Sequence, residues 1–253
     1  MEIKLSVVII TLNEEKNLER CIKSVAEVAD EIVVLDSFST DKTEEICNKY
    51  NVKFFQHKFD GHIEQKNRAL TYSSNNYVLS MDADEALSPM LIESIKQIKK
   101  NCLHDGYYFN RLNNYCGTWI RHTSWSPDRK LRIWNITKGK WGGENPHDKF
   151  ILNENCTKQY LKGELLHYSF ASIEEHITQI NKFSTIAAKA KFNKGKKASF
   201  IDYIIAPIWE FKRSYFIKLG FLDGYYGFVV SIMTSYSVFL KYIKLKRLCE
   251  ERR

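Results

Sequence analysis

The first hundred residues alternate short, almost unbroken apolar runs with segments of helical spacing, and few folds accommodate that alternation. Leu5–Thr11 and Glu31–Asp36 carry Val, Ile and Leu on consecutive positions, the pattern of strands buried on both faces of a parallel sheet. Between them Leu18, Cys21, Ile22 and Val25 recur at helix spacing, lining one face of a helix. Asp41 opens the next helix, with Glu44 and Glu45 in the first turn where the helix dipole favours acids. Residues 52–56 and 77–81 read as third and fourth strands and 63–72 as the helix between them. Ser88-Pro89 starts another helix over 91–98, a cap followed by proline in the first turn. A βαβαβαβ order of this kind implies a doubly wound α/β sheet.

From about residue 106 to 168 the chain is richer in Asn, Gly and Trp, with strand-like pieces such as 130–134 among polar loops. From Ser172 a helical pattern runs to about Lys191, and the remainder is basic and aromatic. Residues 1–181 hold 23 basic and 25 acidic side chains, whereas 182–253 hold 15 and 5, so the overall charge of +8 comes entirely from the last 72 residues. Of the 34 Phe, Trp and Tyr, 13 lie between Phe200 and Tyr242. Basic clusters beside aromatic, amphipathic segments suit the interface of an anionic bilayer better than a nucleic-acid groove. A basic nucleic-acid-binding protein is the alternative of a different class, but no nucleic-acid module is recognisable. The uncharged run 224–240 has 17 residues and is diluted by Ser231, Thr234, Ser235 and Ser237, at the bottom of the length that crosses a bilayer. The six cysteines are scattered with no C-x-x-C pair, which argues against structural zinc and for a reduced, cytoplasmic compartment. The N-terminus runs directly into Ser6-Val7-Val8-Ile9-Ile10 without the apolar length of a signal peptide.

Ligands of open parallel sheets bind beyond the carboxyl ends of the strands. Those ends are acidic here: Thr11-Leu12-Asn13-Glu14-Glu15, Asp36-Ser37-Phe38-Ser39-Thr40-Asp41, and Ser80-Met81-Asp82-Ala83-Asp84-Glu85. Each of the first two also reads as helix capping, but three acidic ends on one rim call for a cation or hydrogen-bond donors. Asp82 and Asp84 are spaced to share a hard divalent ion, since Mg²⁺ is typically held by one or two carboxylates plus substrate phosphates. Neither G-x-G-x-x-G nor G-x-x-x-x-G-K-[ST] occurs, so the dinucleotide and P-loop devices are missing.

The blocks Ser6 to Glu14, Asp36-Ser37-x-Ser39-Thr40-Asp41-x-Thr43, Lys66-Asn67-Arg68-Ala69 and Asp82-Ala83-Asp84 resemble, in order and spacing, the family 2 glycosyltransferases. The bacterial lipopolysaccharide-core β-1,4-glucosyltransferases are the subgroup most resembled, through Phe221-Leu222-Asp223-Gly224 and the basic C-terminus. The resemblance implies a GT-A type, Rossmann-like, mostly parallel sheet flanked by helices, with a helical basic-aromatic C-terminal extension. It implies a catalytic domain over 1–170, with a donor part to about 105 and an acceptor part over about 106–170, and a membrane-proximal extension over 171–253. The implied activity is inverting, metal-dependent transfer of a hexose, glucose first, from a UDP-sugar to a lipopolysaccharide-core or other lipid-linked acceptor at the inner face of the plasma membrane. A polyprenyl-phosphate sugar synthase of the same fold is the enzyme alternative.

By the same resemblance Thr11, Asn13, Glu14 and Ser39 line the nucleotide pocket, with Asp36 near the uracil and Lys66 or Arg68 on phosphate or uracil. Asp82 meets the ribose or metal-bound waters, Asp84 ligates Mg²⁺ or Mn²⁺, Arg132 lies near the diphosphate, and His167 is a third metal ligand or a diphosphate contact. The catalytic base falls in Glu144-Asn145-Pro146-His147-Asp148, with Asp148 preferred and Glu144 the rival. Trp119, Trp125 and Trp141 are candidates to stack on sugar faces, against the burial that Trp serves first.

Overall fold

The computed structural model describes residues 2–144 and 147–251, with the side chains of residues 144 and 147 outside that description. The chain forms two compact units, Met1–Arg111 with Arg129–His167, and Leu112–Asp128 with Tyr168–Arg253. Residues 112–128 thus group with the C-terminal stretch, whereas a division at 170/171 would leave them in the first domain.

The first unit begins with β1 (Leu5–Thr11), α1 (Leu18–Val25), β2 (Glu31–Asp36), α2 (Thr43–Lys49), β3 (Lys53–Gln56), α3 (His62–Leu70) and β4 (Tyr77–Asp82). These strands lie in the order β3-β2-β1-β4, all parallel. On β1, Leu5, Val7 and Ile9 face a core shared with Leu18, Cys21 and Val25 of α1, while Val8 faces the other way among Val33, Val78 and Trp134. Both faces of the central strand are therefore apolar, as the unbroken run of β-branched residues required. In this register Thr11 stands opposite Asp36 and Ile10 opposite Asp82, so the acidic ends of three strands share one rim.

Past β4 come β5 (Glu85–Leu87), α4 (Pro89–Lys100), β6 (Gly106–Tyr115), β7 (Thr118–Ile120), β8 (Asp128–Asn135), β9 (Gly139–Glu144), β10 (His147–Leu152) and β11 (Lys158–Phe170). The sheet continues β4-β8-β6-β11-β5, with β8 antiparallel to β4 and β5 antiparallel to β11. The sheet is thus mixed, parallel through its first four strands and antiparallel at the β4–β8 and β11–β5 pairs. Strands β9 and β10 form a separate antiparallel hairpin with Asp148 opposite Gly143. Ser88 caps α4, its Oγ accepting from the Leu91 and Glu164 amides.

In the second unit, α5 (Ile173–Asn193) is followed by a wide helical turn at Ile201–Ile205, α6 (Ala206–Lys212), a second wide turn at Arg213–Ile217, a short turn at Gly220–Asp223 and α7 (Gly224–Glu251). Tyr115, Ile120, Val229 and Val230 form its core. Within the Phe221-Leu222-Asp223-Gly224 block, the Asp223 carboxylate accepts from the backbone amides of Arg121 and His122 and meets His122 Nδ1 at 2.8 Å. Gly224 follows with φ 62°, a conformation that favours glycine. The motif is therefore a clasp between two chain segments of this unit.

Candidate active site

Asp36 is fully buried at the end of β2 and accepts from Thr11 Oγ1 at 3.0 Å, the Ser39 amide at 2.7 Å and Ser39 Oγ at 2.5 Å. Asn13, in the left-handed region at φ 56°, donates its amide to Ser39 Oγ and accepts the Thr40 amide on Oδ1. Glu14 and Glu15 donate their amides to Thr43 Oγ1 and Asp41 Oδ2. The residues expected to line a nucleotide pocket are thus brought together, but Thr11, Asp36 and Ser39 use these polar groups on one another. Asp36 in particular is fully buried, with Ser39 donating to both of its carboxylate oxygens. Burial pushes the Glu14 carboxyl above its ordinary value; the Asn17 amide opposes this, and the charges of Asp84, Asp41 and Asp82 add to it.

A chain of ion pairs, with Lys66, Arg132 and Glu85 buried and Asp82, Asp148 and Arg111 half-buried, starts at the end of β4. Lys66 of α3 is only 6% exposed, and its ammonium lies 3.0 Å from Asp82 Oδ1 and 2.9 Å from Asp148 Oδ2 on β10. It also sits 4.6 Å above the centre of the Trp141 ring. Arg132 of β8 donates from Nη2 to Asp82 Oδ2 at 2.9 Å and to Glu85 Oε1 at 2.7 Å. Arg111 approaches Glu85 at 3.6 Å, and the Asp82 amide donates to Glu85 Oε2. Three carboxylates therefore alternate with three cations, the balance that burial demands. Burial alone would raise the Asp82 carboxyl, but the Lys66 ammonium and Arg132 guanidinium hold it well below the ordinary range. Burial does raise Glu85, the Arg132 charge opposing and the Asp82 charge adding.

Lys66 and Arg132 were expected on the donor's phosphates or base; in this structure both point at carboxylates. Arg132 nevertheless keeps Nε and Nη1 without a hydrogen-bond partner among the described residues. Arg68 pairs with Asp60 at 3.3 Å, with both side chains about two-fifths exposed. Glu144 ends the backbone of β9, while its side chain lies outside the described residues, as do Asn145 and Pro146.

Both Asp82 oxygens are thus engaged by cations, whereas Asp84 Oδ2 lies 3.1 Å from His167 Nε2 on β11. Among the described residues no group of three or more His, Cys, Asp or Glu side chains is arranged to hold a metal. One carboxylate and one imidazole nonetheless fit an ion that completes its shell with phosphate oxygens and water.

Three participants, Glu85, Asn67 and Arg111, were not recognised from sequence. Glu85 balances Arg132, and Asn67 clamps the hairpin to α3: its Nδ2 donates to the Trp141 carbonyl and its Oδ1 accepts the Trp141 amide, each at 3.0 Å. The adjacency of Glu85 to Asp82-Ala83-Asp84 was the only signal for the first. Trp141 is 4% exposed and packs against Trp134 and Phe150, while Trp125 packs against Tyr115 and His176 and Trp119 against Tyr168.

The sequence model of the family described as Glycosyl transferase family 2 matches residues 6–155. An uncharacterized glycosyltransferase of Rickettsia bellii is 34% identical over 255 residues, covering 97% of this chain and 87% of the relative. The lipopolysaccharide core biosynthesis glycosyltransferase LpsC of Rhizobium meliloti is 28% identical over 254 residues, covering 95% of this chain and 94% of its own. Glucosyl-3-phosphoglycerate synthase of Mycobacterium tuberculosis, in complex with Mn²⁺ and UDP-glucose, overlaps 44% of each chain at 24% identity with a TM-score of 0.37.

Proposed function

Because the chain belongs to glycosyl transferase family 2, and is therefore an enzyme of glycosyl transfer, we propose that it moves a hexose, glucose first, from a UDP-sugar to a lipopolysaccharide-core or other lipid-linked acceptor with inversion. It would work peripherally at the inner face of the plasma membrane. Similarity to LpsC over nearly the whole chain supports the acceptor class.

The observation that carries the chemistry is the Asp148 carboxylate, 13% exposed on the hairpin and tied through Lys66 to the acidic end of β4. In this reading Asp148 takes the acceptor hydroxyl's proton on Oδ1 while Lys66 holds Oδ2. The hydroxyl oxygen bonds to the anomeric carbon as the bond to the diphosphate breaks. Thr11, Asn13, Glu14, Asp36 and Ser39 form the ledge under the nucleotide, and the unspent donors of Arg132 are its means of meeting the diphosphate. Mg²⁺ or Mn²⁺ bound by Asp84 and His167 would supply neutralisation of the departing charge.

A panel of UDP-, GDP- and dTDP-hexoses with Mg²⁺ or Mn²⁺, read as metal-dependent hydrolysis, tests the donor; preference for a GDP- or dTDP-sugar would overturn the UDP assignment. Asp148→Asn should lose about 10³-fold in turnover with donor binding retained, within the range of general-base catalysis. The same loss in Glu144→Gln alone would move the base to Glu144.

A further inference from the structure

The helical stretch from Phe200 to Ile217 turns its apolar side outward. Ile201, Ile204, Ile205, Ile208, Trp209 and Phe216 are all exposed, Trp209 and Phe216 by 56% each, and their spacing places them on one face. The opposite face holds Pro207, whose carbonyl accepts from Ser235 Oγ, and buried Ser214, whose hydroxyl meets Ser231 at 2.8 Å. On α7, Tyr225, Phe228, Ile232 and Tyr236 continue as a second exposed stripe at intervals of three and four residues. This is inverted amphipathicity, and so large an apolar face marks an interaction surface. Lys194, Lys196, Lys197, Lys212 and Lys218 lie along the same part of the chain, within a stretch of net charge +10.

We infer that this face is the seat of the protein on an anionic bilayer, with the 201–217 helical segment lying in the interfacial plane and α7 packed above it rather than crossing. The positive charge favours an anionic lipid surface over a second copy, which would bring like charges together. Length and composition alone would let Gly220–Glu251 span a membrane, its most apolar 18-residue window having a mean hydropathy of 1.3. However, α7 is held within its own unit. Besides the Ser231 and Ser235 bonds, the Lys244 ammonium lies 2.7 to 2.8 Å from the Asn181 carbonyl and Oδ1, Ser184 Oγ and Thr185 Oγ1, among which its three hydrogens are shared. Crossing would strip that ammonium of its partners or carry them into hydrocarbon. The inference deepens the lipid-linked acceptor reading and rests on it for its purpose, yet vesicle binding requires no turnover, so the two can fail separately.

The test is sedimentation of the full chain with phosphatidylcholine vesicles with and without phosphatidylglycerol, at low and high salt, beside Ile201→Ser/Ile208→Ser/Phe216→Ser. The original chain should pellet with the anionic vesicles at low salt, and the triple variant should partition about tenfold less or weaker. Because the three side chains are exposed, circular dichroism and unfolding midpoint should be unchanged, and hydrolysis of the donor to water should persist. Equal binding by the variant, or no binding by the original chain, overturns the inference. So does a dimer in solution that the triple variant dissociates, which would assign the face to a second copy. Protection of the α7 C-terminus from protease added outside vesicles would show a crossing helix instead.

Discussion

At the scale of single residues, Lys66 is the most informative side chain, because its two expected roles differ in what they would do to kinetics. A lysine bound to donor phosphate contributes to donor affinity; a lysine bridging Asp82 and Asp148 contributes to the geometry of the base. Lys66→Met should therefore lower kcat about 100-fold with the donor KM changed little, and Lys66→Arg should restore part of it by keeping the charge. It should also destabilise the fold by about 3 kcal/mol, since one partner of a buried ion pair is removed; denaturant unfolding measures this. A raised donor KM with kcat intact would return Lys66 to the phosphate. Asp84→Ala, by contrast, leaves the Lys66–Asp82–Arg132 network whole, so transfer in Mg²⁺ or Mn²⁺ should vanish with the unfolding midpoint unchanged. Undiminished activity would remove Asp84 from the metal site. The acids at the strand ends were legible because strands buried on both faces end abruptly. Their partners were not, since nothing in the spacing of Lys66, Arg132 and Asp148 tells which cation meets which carboxylate across some eighty residues of chain.

Among the elements, those with strong periodicity matched the structure nearly to the residue. β1 and β2 span the apolar runs themselves, and α4 and α5 begin at their serine caps. β6 and β11 escaped because they carry Asn, Arg, Lys and Glu at positions where alternation would require apolar residues. In α5 the informative residue is His176, which is 5% exposed, stacks on Phe170 at 4.4 Å and meets the Tyr115 hydroxyl at 3.1 Å. Burial lowers it from an ordinary 6.5 to about 4. Between those values the unfolded chain takes up a proton that the folded chain refuses, so stability falls as pH falls through this window, by about 3 kcal/mol in total. The comparison is unfolding of the original chain and of His176→Phe in urea from pH 7 to 4. The variant should lack this component of the acid-side slope, and parallel slopes would show that His176 is not shielded.

For the molecule as a whole, the +8 average conceals a near-neutral stretch that carries the candidate site and a +10 stretch that carries the exposed apolar face. The compact units do not follow that division along the chain, because residues 112–128 leave the first unit and return to it at Arg129. Within the second unit Tyr115 and Ile120 are almost wholly buried, and the side chains packed with them include Val229 and Val230 of α7, with Trp125, Ile173 and Tyr226 at the margin. A chain ending at residue 170 would keep the sheet core yet uncover Tyr115, Ile120 and Trp125, each losing burial worth about 2 kcal/mol. We predict that such a fragment retains far-UV circular dichroism of a folded sheet but binds a hydrophobic dye and aggregates. Co-expression with residues 171–253 should suppress both effects by restoring Val229 and Val230 to their partners. A soluble, dye-silent 1–170 fragment would mean that the excursion can bury itself without α7, and that the second unit is an appendage rather than a fold shared by two chain segments.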